Sequence, residues 1–148
     1  MNKKISTIFL TLFLVGILSV SCSNKDTTGA GDTTKGIEQY NGNTYVSTET
    51  YDASSVFPNL QTAYLWVSIK DGQVATLPND NNNTAPTFPS ENYFTVTGSG
   101  TDYSFSVYQG QVVGTFKFSS DGSSVTIRYT KNTVMPSIEN TDIVCNKK

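Results

Sequence analysis

Histidine is absent from this chain of 148 residues. Its absence removes the side chain that most often acts as a base near neutral pH, and the commonest ligand of transition metals. Catalytic pairs of serine or cysteine with histidine are therefore excluded in their usual form. The sequence also contains no Ser-x-x-Lys pattern, no G-x-x-x-x-G-K phosphate loop and no C-x-x-C pair. We therefore predict that the protein is not an enzyme and that it has no catalytic residue, cofactor or bound metal.

Charge is also scarce, and it has no basic excess. Charged residues make up 15% of the chain, with 10 Lys and Arg against 12 Asp and Glu. Proteins that bind nucleic acid usually carry a basic patch, and no basic cluster is present here. The composition therefore predicts that nucleic acid is not a partner. It also predicts no electrostatic attachment to anionic lipid.

The longest apolar run lies at the start of the chain. Lys3 and Lys4 precede residues 5–20, which carry no charge, and Ser19 and Ser21 lie just before Cys22. A positive segment, a short apolar run and small residues form the pattern of a secretory signal. A transmembrane helix needs about 20 apolar residues, so a permanent span is the less favoured alternative. Residues 1–21 are therefore predicted to be a signal peptide.

The stretch "LSVSC", residues 18–22, resembles the signal of bacterial lipoproteins. The resemblance implies that Cys22 is lipidated and becomes the first residue of the mature chain. It implies a cell-envelope protein held to a bacterial membrane by acyl chains, most simply at the outer membrane or the cell surface. Two or more acyl chains give stable anchoring, whereas one gives only marginal binding. The alternative is an ordinary secreted protein that happens to carry a cysteine near its cleavage site.

Residues 22–39 are polar and rich in glycine, with Ala30 and Ile37 as the only aliphatic side chains after Cys22. Such a composition buries too little apolar surface to offset the entropy lost on ordering. We predict a flexible tether there and a single folded domain over residues 40–148. An alternative is that part of this segment packs as an edge strand.

Beyond Tyr40, apolar and polar residues alternate with a period of two. Strict alternation is typical of strands that have one buried and one wetted face, and pairs such as Asp71-Gly72 predict tight hairpin turns. Eight strands are predicted, over residues 43–50, 63–69, 73–77, 93–98, 103–108, 112–119, 124–130 and 142–145. The fold class is therefore all-β, as a single antiparallel meander.

This series of short hairpins resembles the small lipocalin-like β-barrels found in many bacterial lipoproteins. A meander of eight strands removes its edges when it closes into a barrel; a two-sheet β-sandwich is the alternative. The residues predicted to point inward are Leu65, Val67, Ile69, Phe94, Val96, Phe105, Val107, Phe116, Phe118, Val125, Ile127 and Tyr129. This set contains no charge and one hydroxyl, so we expect a packed interior with at most a small cavity near one mouth.

Function is predicted to lie in binding rather than catalysis. Tyr64 and Trp66 alternate with apolar residues on a strand that is apolar on both faces. They form either an exposed aromatic patch for a partner or part of a face covered by the long polar loop over residues 80–91. Three functions remain open. The favoured one is an interaction module that works through its surface and loops, because the inward set has few polar groups to orient a ligand. The alternatives are a carrier of a small apolar ligand in the barrel interior and a structural or antigenic surface protein. We expect a monomer.

Overall fold

The computed structural model describes residues 35–148. The predicted signal peptide, Cys22 and most of the predicted tether lie outside these residues. Within them, no helix has the length and apolarity needed to cross a bilayer. The helices there are short 3-10 turns at Ile37–Tyr40, Ser90–Asn92, Tyr108–Gly110 and Pro136–Ile138.

The described chain forms eight strands, which confirms the all-β prediction. They are β1 (Thr44–Tyr51), β2 (Ala63–Lys70), β3 (Gln73–Asn79), β4 (Thr97–Ser99), β5 (Asp102–Val107), β6 (Val112–Phe118), β7 (Ser124–Asn132) and β8 (Asp142–Lys147). Each predicted strand overlaps one of these. The fourth strand is shorter than predicted. Phe94, in its predicted first half, forms only an isolated bridge with Val74 of β3, and regular pairing with β5 begins at Thr97.

All eight strands belong to one antiparallel sheet with the order β3-β2-β1-β8-β7-β6-β5-β4. The sheet is a meander curled into a half-barrel, so the two-sheet sandwich is wrong. β1 and β8, the first and last strands, pair through Tyr45–Lys147 and two further residue pairs. The edges of the sheet therefore fall in the middle of the sequence, at β3 and β4, where the Val74–Phe94 bridge spans the opening.

The core lies on the concave face of this sheet, as the alternation predicts. All twelve residues of the predicted inward set belong to it, nine of them buried and Phe94, Val96 and Val107 half-buried against it. The tight turn at Asp71 and Gly72 is also confirmed, with φ of 52° and 74°. Positive φ at both positions suits the twist of a two-residue hairpin.

The fold begins before Tyr40, the predicted start of the domain. Residues Ile37–Tyr40 form a 3-10 turn, and Ile37 is 4% exposed within the core. Its polar neighbours predict a tether at this position, and that prediction is wrong for Ile37. Burial of Ile37 and Tyr40 together supplies the apolar contact that orders this turn.

Candidate functional site

The two ends of the half-barrel differ in how they are filled. We call the end formed by residues 35–43, 71–72, 100–101 and 119–123 the base, and the opposite end the mouth. At the base, the ring of Tyr40 stacks on Phe118 at 3.9 Å, and Tyr45 and Tyr103 meet Phe118 edge-on at 5.8 and 5.9 Å. These four residues, the aromatic plug, close the base.

Hydrogen bonds hold the aromatic plug in place. The Tyr40 hydroxyl donates to the Gly100 carbonyl at 3.2 Å, and Gln39 Nε2 donates to the same oxygen at 2.7 Å. The Tyr45 hydroxyl donates to the Gly122 carbonyl at 3.0 Å. Burial raises the pKa of Tyr40 to about 12, so its hydroxyl stays a neutral donor across the physiological range. The plug is therefore uncharged and fully bonded.

At the mouth, the interior opens into a cavity of about 270 Å³. Its lining is mostly apolar and comes from β2, β3, β5, β6, β7 and the connections at this end. The lining residues are Val56, Phe57, Leu65, Thr76, Leu77, Pro78, Asn92, Phe94, Phe105, Val107, Tyr108, Val112, Tyr129, Asn132, Val134, Met135 and Ile138. The volume lies just below the range of about 300–1,000 Å³ that drug-sized ligands occupy. The cavity thus has room for a smaller molecule.

The cavity follows from the opening between the two edge strands. β3 pairs with the chain of the next strand only at Val74–Phe94, and β4 pairs with β5 only as far as Ser104. Beyond those points toward the mouth, Thr76 and Pro78 on one side face Phe105 and Val107 on the other across the cavity. No strand fills this gap among residues 35–148.

A few polar groups interrupt the apolar wall. Tyr129 is 3% exposed, and burial raises its pKa to about 12 while a hydrogen bond with Thr76 opposes the shift. Asn132, the last residue of β7, is 4% exposed. Thr76 and Asn132 are absent from the inward set that the alternation predicts. Selective sites combine an apolar wall with a few such groups.

The rim of the mouth carries exposed apolar side chains. Val56, Phe57, Tyr108 and Val134 are 37%, 37%, 65% and 38% exposed, and all four line the cavity. Only one other large apolar side chain in the described chain, Val144 on β8, is comparably exposed. Clustered exposed apolar groups are typical of contact sites.

The rim is held by polar contacts and by unusual backbone. Ser55 Oγ donates to the Val134 carbonyl at 3.0 Å, and Ser137 Oγ donates to the Asp52 carbonyl at 2.9 Å, which ties the two connections together. Tyr108 and Gln109 have φ of 51° and 55°, in the left-handed region that non-glycine residues rarely adopt. Such conformations concentrate at functional sites.

The predicted aromatic patch is not exposed. Trp66 is fully buried, its Nε1 donates to the Asn81 carbonyl at 2.8 Å, and Tyr64 is half-buried. Beside it, Ser68 Oγ and the Tyr93 hydroxyl lie 2.8 Å apart in a hydrogen bond. The long loop after β3 therefore covers the outer face of β2. Of the two alternatives, the covered face is correct and the exposed patch is wrong.

Cys145 is fully buried in β8, and burial raises the pKa of its thiol to about 12. A protonated buried thiol is a weak nucleophile. Among residues 35–148, no group of three or more carboxylate or thiol side chains is close enough to hold a metal ion. The mouth itself offers apolar contact and neutral hydrogen bonding.

Comparison with protein-family models, curated proteins and solved structures finds no match to this chain.

Proposed function

We propose that this protein is a non-enzymatic binding module of the cell envelope, anchored by lipid at Cys22, whose mouth takes up a small, mainly apolar ligand. The single observation that carries the binding function is the coincidence of the cavity with the exposed apolar rim. Four of the five exposed large apolar side chains of the described chain surround one opening of about 270 Å³. Without a ligand, that surface is left in contact with water, which is unfavourable.

The position of the chain's entry into the domain supports the anchored arrangement. The Lys35 carbonyl accepts the backbone N–H of Gly100 at 2.9 Å, so the chain enters at the base. An anchor that precedes residue 35 would therefore attach to the end opposite the mouth. The tether would then leave the mouth unobstructed and accessible to ligand.

A binding titration tests the proposed function. All eight strands and the described core lie within residues 35–148, so a soluble chain that begins at Ser23 retains the mouth. We expect the neutral dye N-phenyl-1-naphthylamine to bind it with increased fluorescence. The variant Val134→Asp replaces a rim valine by a charged residue and should weaken dye binding. Each methyl or methylene group that no longer contacts the dye should cost about 0.8 kcal/mol, which is about a fourfold loss of affinity.

Val144 on β8 provides the matched control, because it is a valine of similar exposure, 42%, and does not line the cavity. Val144→Asp should leave dye binding unchanged. Equal effects of the two substitutions, or no dye binding at all, would contradict the site.

The anchor is tested separately. A Cys22→Ala variant expressed in a bacterial host should leave the membrane fraction and appear in the soluble fraction. Unchanged membrane partition would refute lipid anchoring at Cys22 and leave the binding function of the mouth unaffected.

A second candidate is an interaction with a protein partner through the rim. The observation in its favour is Tyr108, which is 65% exposed on a backbone held at positive φ. Exposed tyrosines are enriched at protein interfaces. Replacement of Tyr108 by Ala would abolish partner binding in this case.

A further inference from the structure

We propose that the mouth selects neutral ligands that carry one hydrogen-bond acceptor of the carbonyl type, and that Asn132 Nδ2 is the donor that recognises it. This inference rests on the proposed function of the mouth and adds the chemical class of the ligand.

The orientation of the Asn132 side chain is fixed by the turn that follows β7. Its Oδ1 accepts the backbone N–H groups of Val134 at 3.2 Å and of Met135 at 2.8 Å. Only an oxygen can accept two N–H donors, so the oxygen of the amide is identified by its partners. The amide nitrogen Nδ2 therefore points away from this turn.

Asn132 Nδ2 has no hydrogen-bond partner among the described residues. Every fully enclosed side-chain nitrogen or oxygen in residues 35–148 has a partner. Nδ2 must therefore reach open space, although Asn132 as a whole is only 4% exposed, and the cavity is a space that Asn132 lines. Nδ2 is therefore a donor without a protein partner at the surface of the cavity, and it is available to a ligand acceptor.

The charges around Asn132 disfavour an anionic ligand. Glu139 Oε2 accepts the backbone N–H of Asn132 at 3.0 Å, which places a carboxylate beside the same residue. No Lys or Arg of the described chain lines the cavity, and Lys131, the neighbour of Asn132, is exposed. A carboxylate ligand would lose its strong hydration and meet repulsion from Glu139, whereas a neutral carbonyl would lose much less hydration and meet no repulsion between like charges.

The aromatic side chains of the cavity wall favour a ligand in which the carbonyl is attached to a flat apolar group. Phe105 lies between Phe94 and Tyr129, with ring centroids 5.3 and 5.7 Å away. Aromatic rings pack well against one another in offset or edge-on arrangements. An aromatic ketone, amide or ester of modest size therefore matches both the wall and the donor.

Three probes of equal heavy-atom count test the selection in the soluble chain from Ser23. They are acetophenone, its hydrocarbon isostere α-methylstyrene, and benzoate. We expect acetophenone to bind about three- to tenfold more tightly than α-methylstyrene, the effect of one net hydrogen bond. Benzoate should bind more weakly than either. Affinities come from amide NMR titrations, in which acetophenone alone should shift the Asn132 side-chain NH₂ signals downfield.

Asn132→Asp removes the donor but keeps an oxygen to accept the Val134 and Met135 N–H groups. In this variant the preference for acetophenone over α-methylstyrene should disappear, with little change for α-methylstyrene. Asn140→Asp is the matched control, since Asn140 lies in the connection that follows Asn132, is exposed, and does not line the cavity. It should keep the preference.

The outcomes separate this inference from the proposed function. If both neutral probes bind the wild-type protein equally and the NH₂ signals do not move, the mouth binds apolar ligands but Asn132 does not select them. Tighter binding of benzoate would overturn the inference in the same way. If none of the three probes binds, the proposed function fails, and the inference fails with it. The wild-type comparison of probes needs no variant, so it holds even if Asn132→Asp unfolds.

Discussion

Removal of the Tyr40 side chain from the aromatic plug should destabilise the domain strongly. Tyr40 is 7% exposed, stacks on Phe118 at 3.9 Å and meets Tyr103 edge-on at 6.4 Å. Truncation of a buried aromatic residue to alanine costs about 3–5 kcal/mol, from lost burial and from the cavity left behind. We expect Tyr40→Ala to lower the free energy of unfolding by that amount.

The hydroxyl of Tyr40 should contribute far less than its ring. Its acceptor, the Gly100 carbonyl, also receives Gln39 Nε2 at 2.7 Å and the Tyr103 hydroxyl at 3.0 Å. Loss of one donor therefore leaves the carbonyl satisfied, and Tyr40→Phe should cost about 0.5 kcal/mol, the low end for a hydrogen bond. Comparison of Tyr40→Ala with Tyr40→Phe therefore separates the contribution of ring packing to the free energy of unfolding from that of the hydroxyl hydrogen bond.

Urea unfolding of the soluble chain from Ser23, followed by Trp66 fluorescence, measures both values. Tyr108, which is 65% exposed at the mouth, supplies a control of the same residue type. Tyr108→Ala should change stability by no more than about 0.5 kcal/mol, as surface substitutions usually do. A loss below about 1.5 kcal/mol for Tyr40→Ala, or an equal loss for Tyr40→Phe, would refute the stabilising role of the plug.

Two further predictions concern titratable groups. Cys145 is fully buried and burial raises the pKa of its thiol. The thiol should therefore not react with 5,5′-dithiobis(2-nitrobenzoate) in the folded protein and should react fully in denaturant. Rapid reaction of the native protein would contradict its burial. Hydrogen bonds from Ser119 and Ser123 lower the pKa of Asp121 to about 2, so the stability it contributes is present above the ordinary value of 3.8 and is lost as pH falls toward 2. Acid titrations followed by circular dichroism test this. Asp121→Asn should be less stable than wild type at pH 6 and equally stable near pH 2. A constant difference in stability between the two proteins across that range would show that the ionisation of Asp121 does not stabilise the fold.

Most of the fold can be predicted from the sequence because the signals involved are local. Alternation in β5, β6 and β7 identifies the buried face directly, as Phe105, Phe116 and Ile127 illustrate. The hairpin between β2 and β3 follows from Asp71 and Gly72, whose residue types tolerate positive φ. The existence of these strands and the buried face of each therefore need no tertiary information, whereas the burial of Ile37 outside the strands does.

The site itself depends on non-local placement, which no local pattern contains. Trp66 is covered by Asn81, fifteen residues away, so its burial depends on where the long loop lies. The cavity arises because two edge strands diverge beyond the Val74–Phe94 bridge. One local signal was available: Asn132 stands shortly before Pro136, and an asparagine in that setting favours a turn capped by its own side chain.

The aromatic plug makes the two ends of the half-barrel unequal. Tyr40, Tyr45, Tyr103 and Phe118 fill the base, whereas Val56, Phe57, Tyr108 and Val134 surround the cavity at the mouth. The gap between β3 and β4 reaches the same cavity from the side. A protein that docks on the rim would therefore cover part of the entrance, and a bound molecule would either leave through the lateral gap or pass directly to that protein.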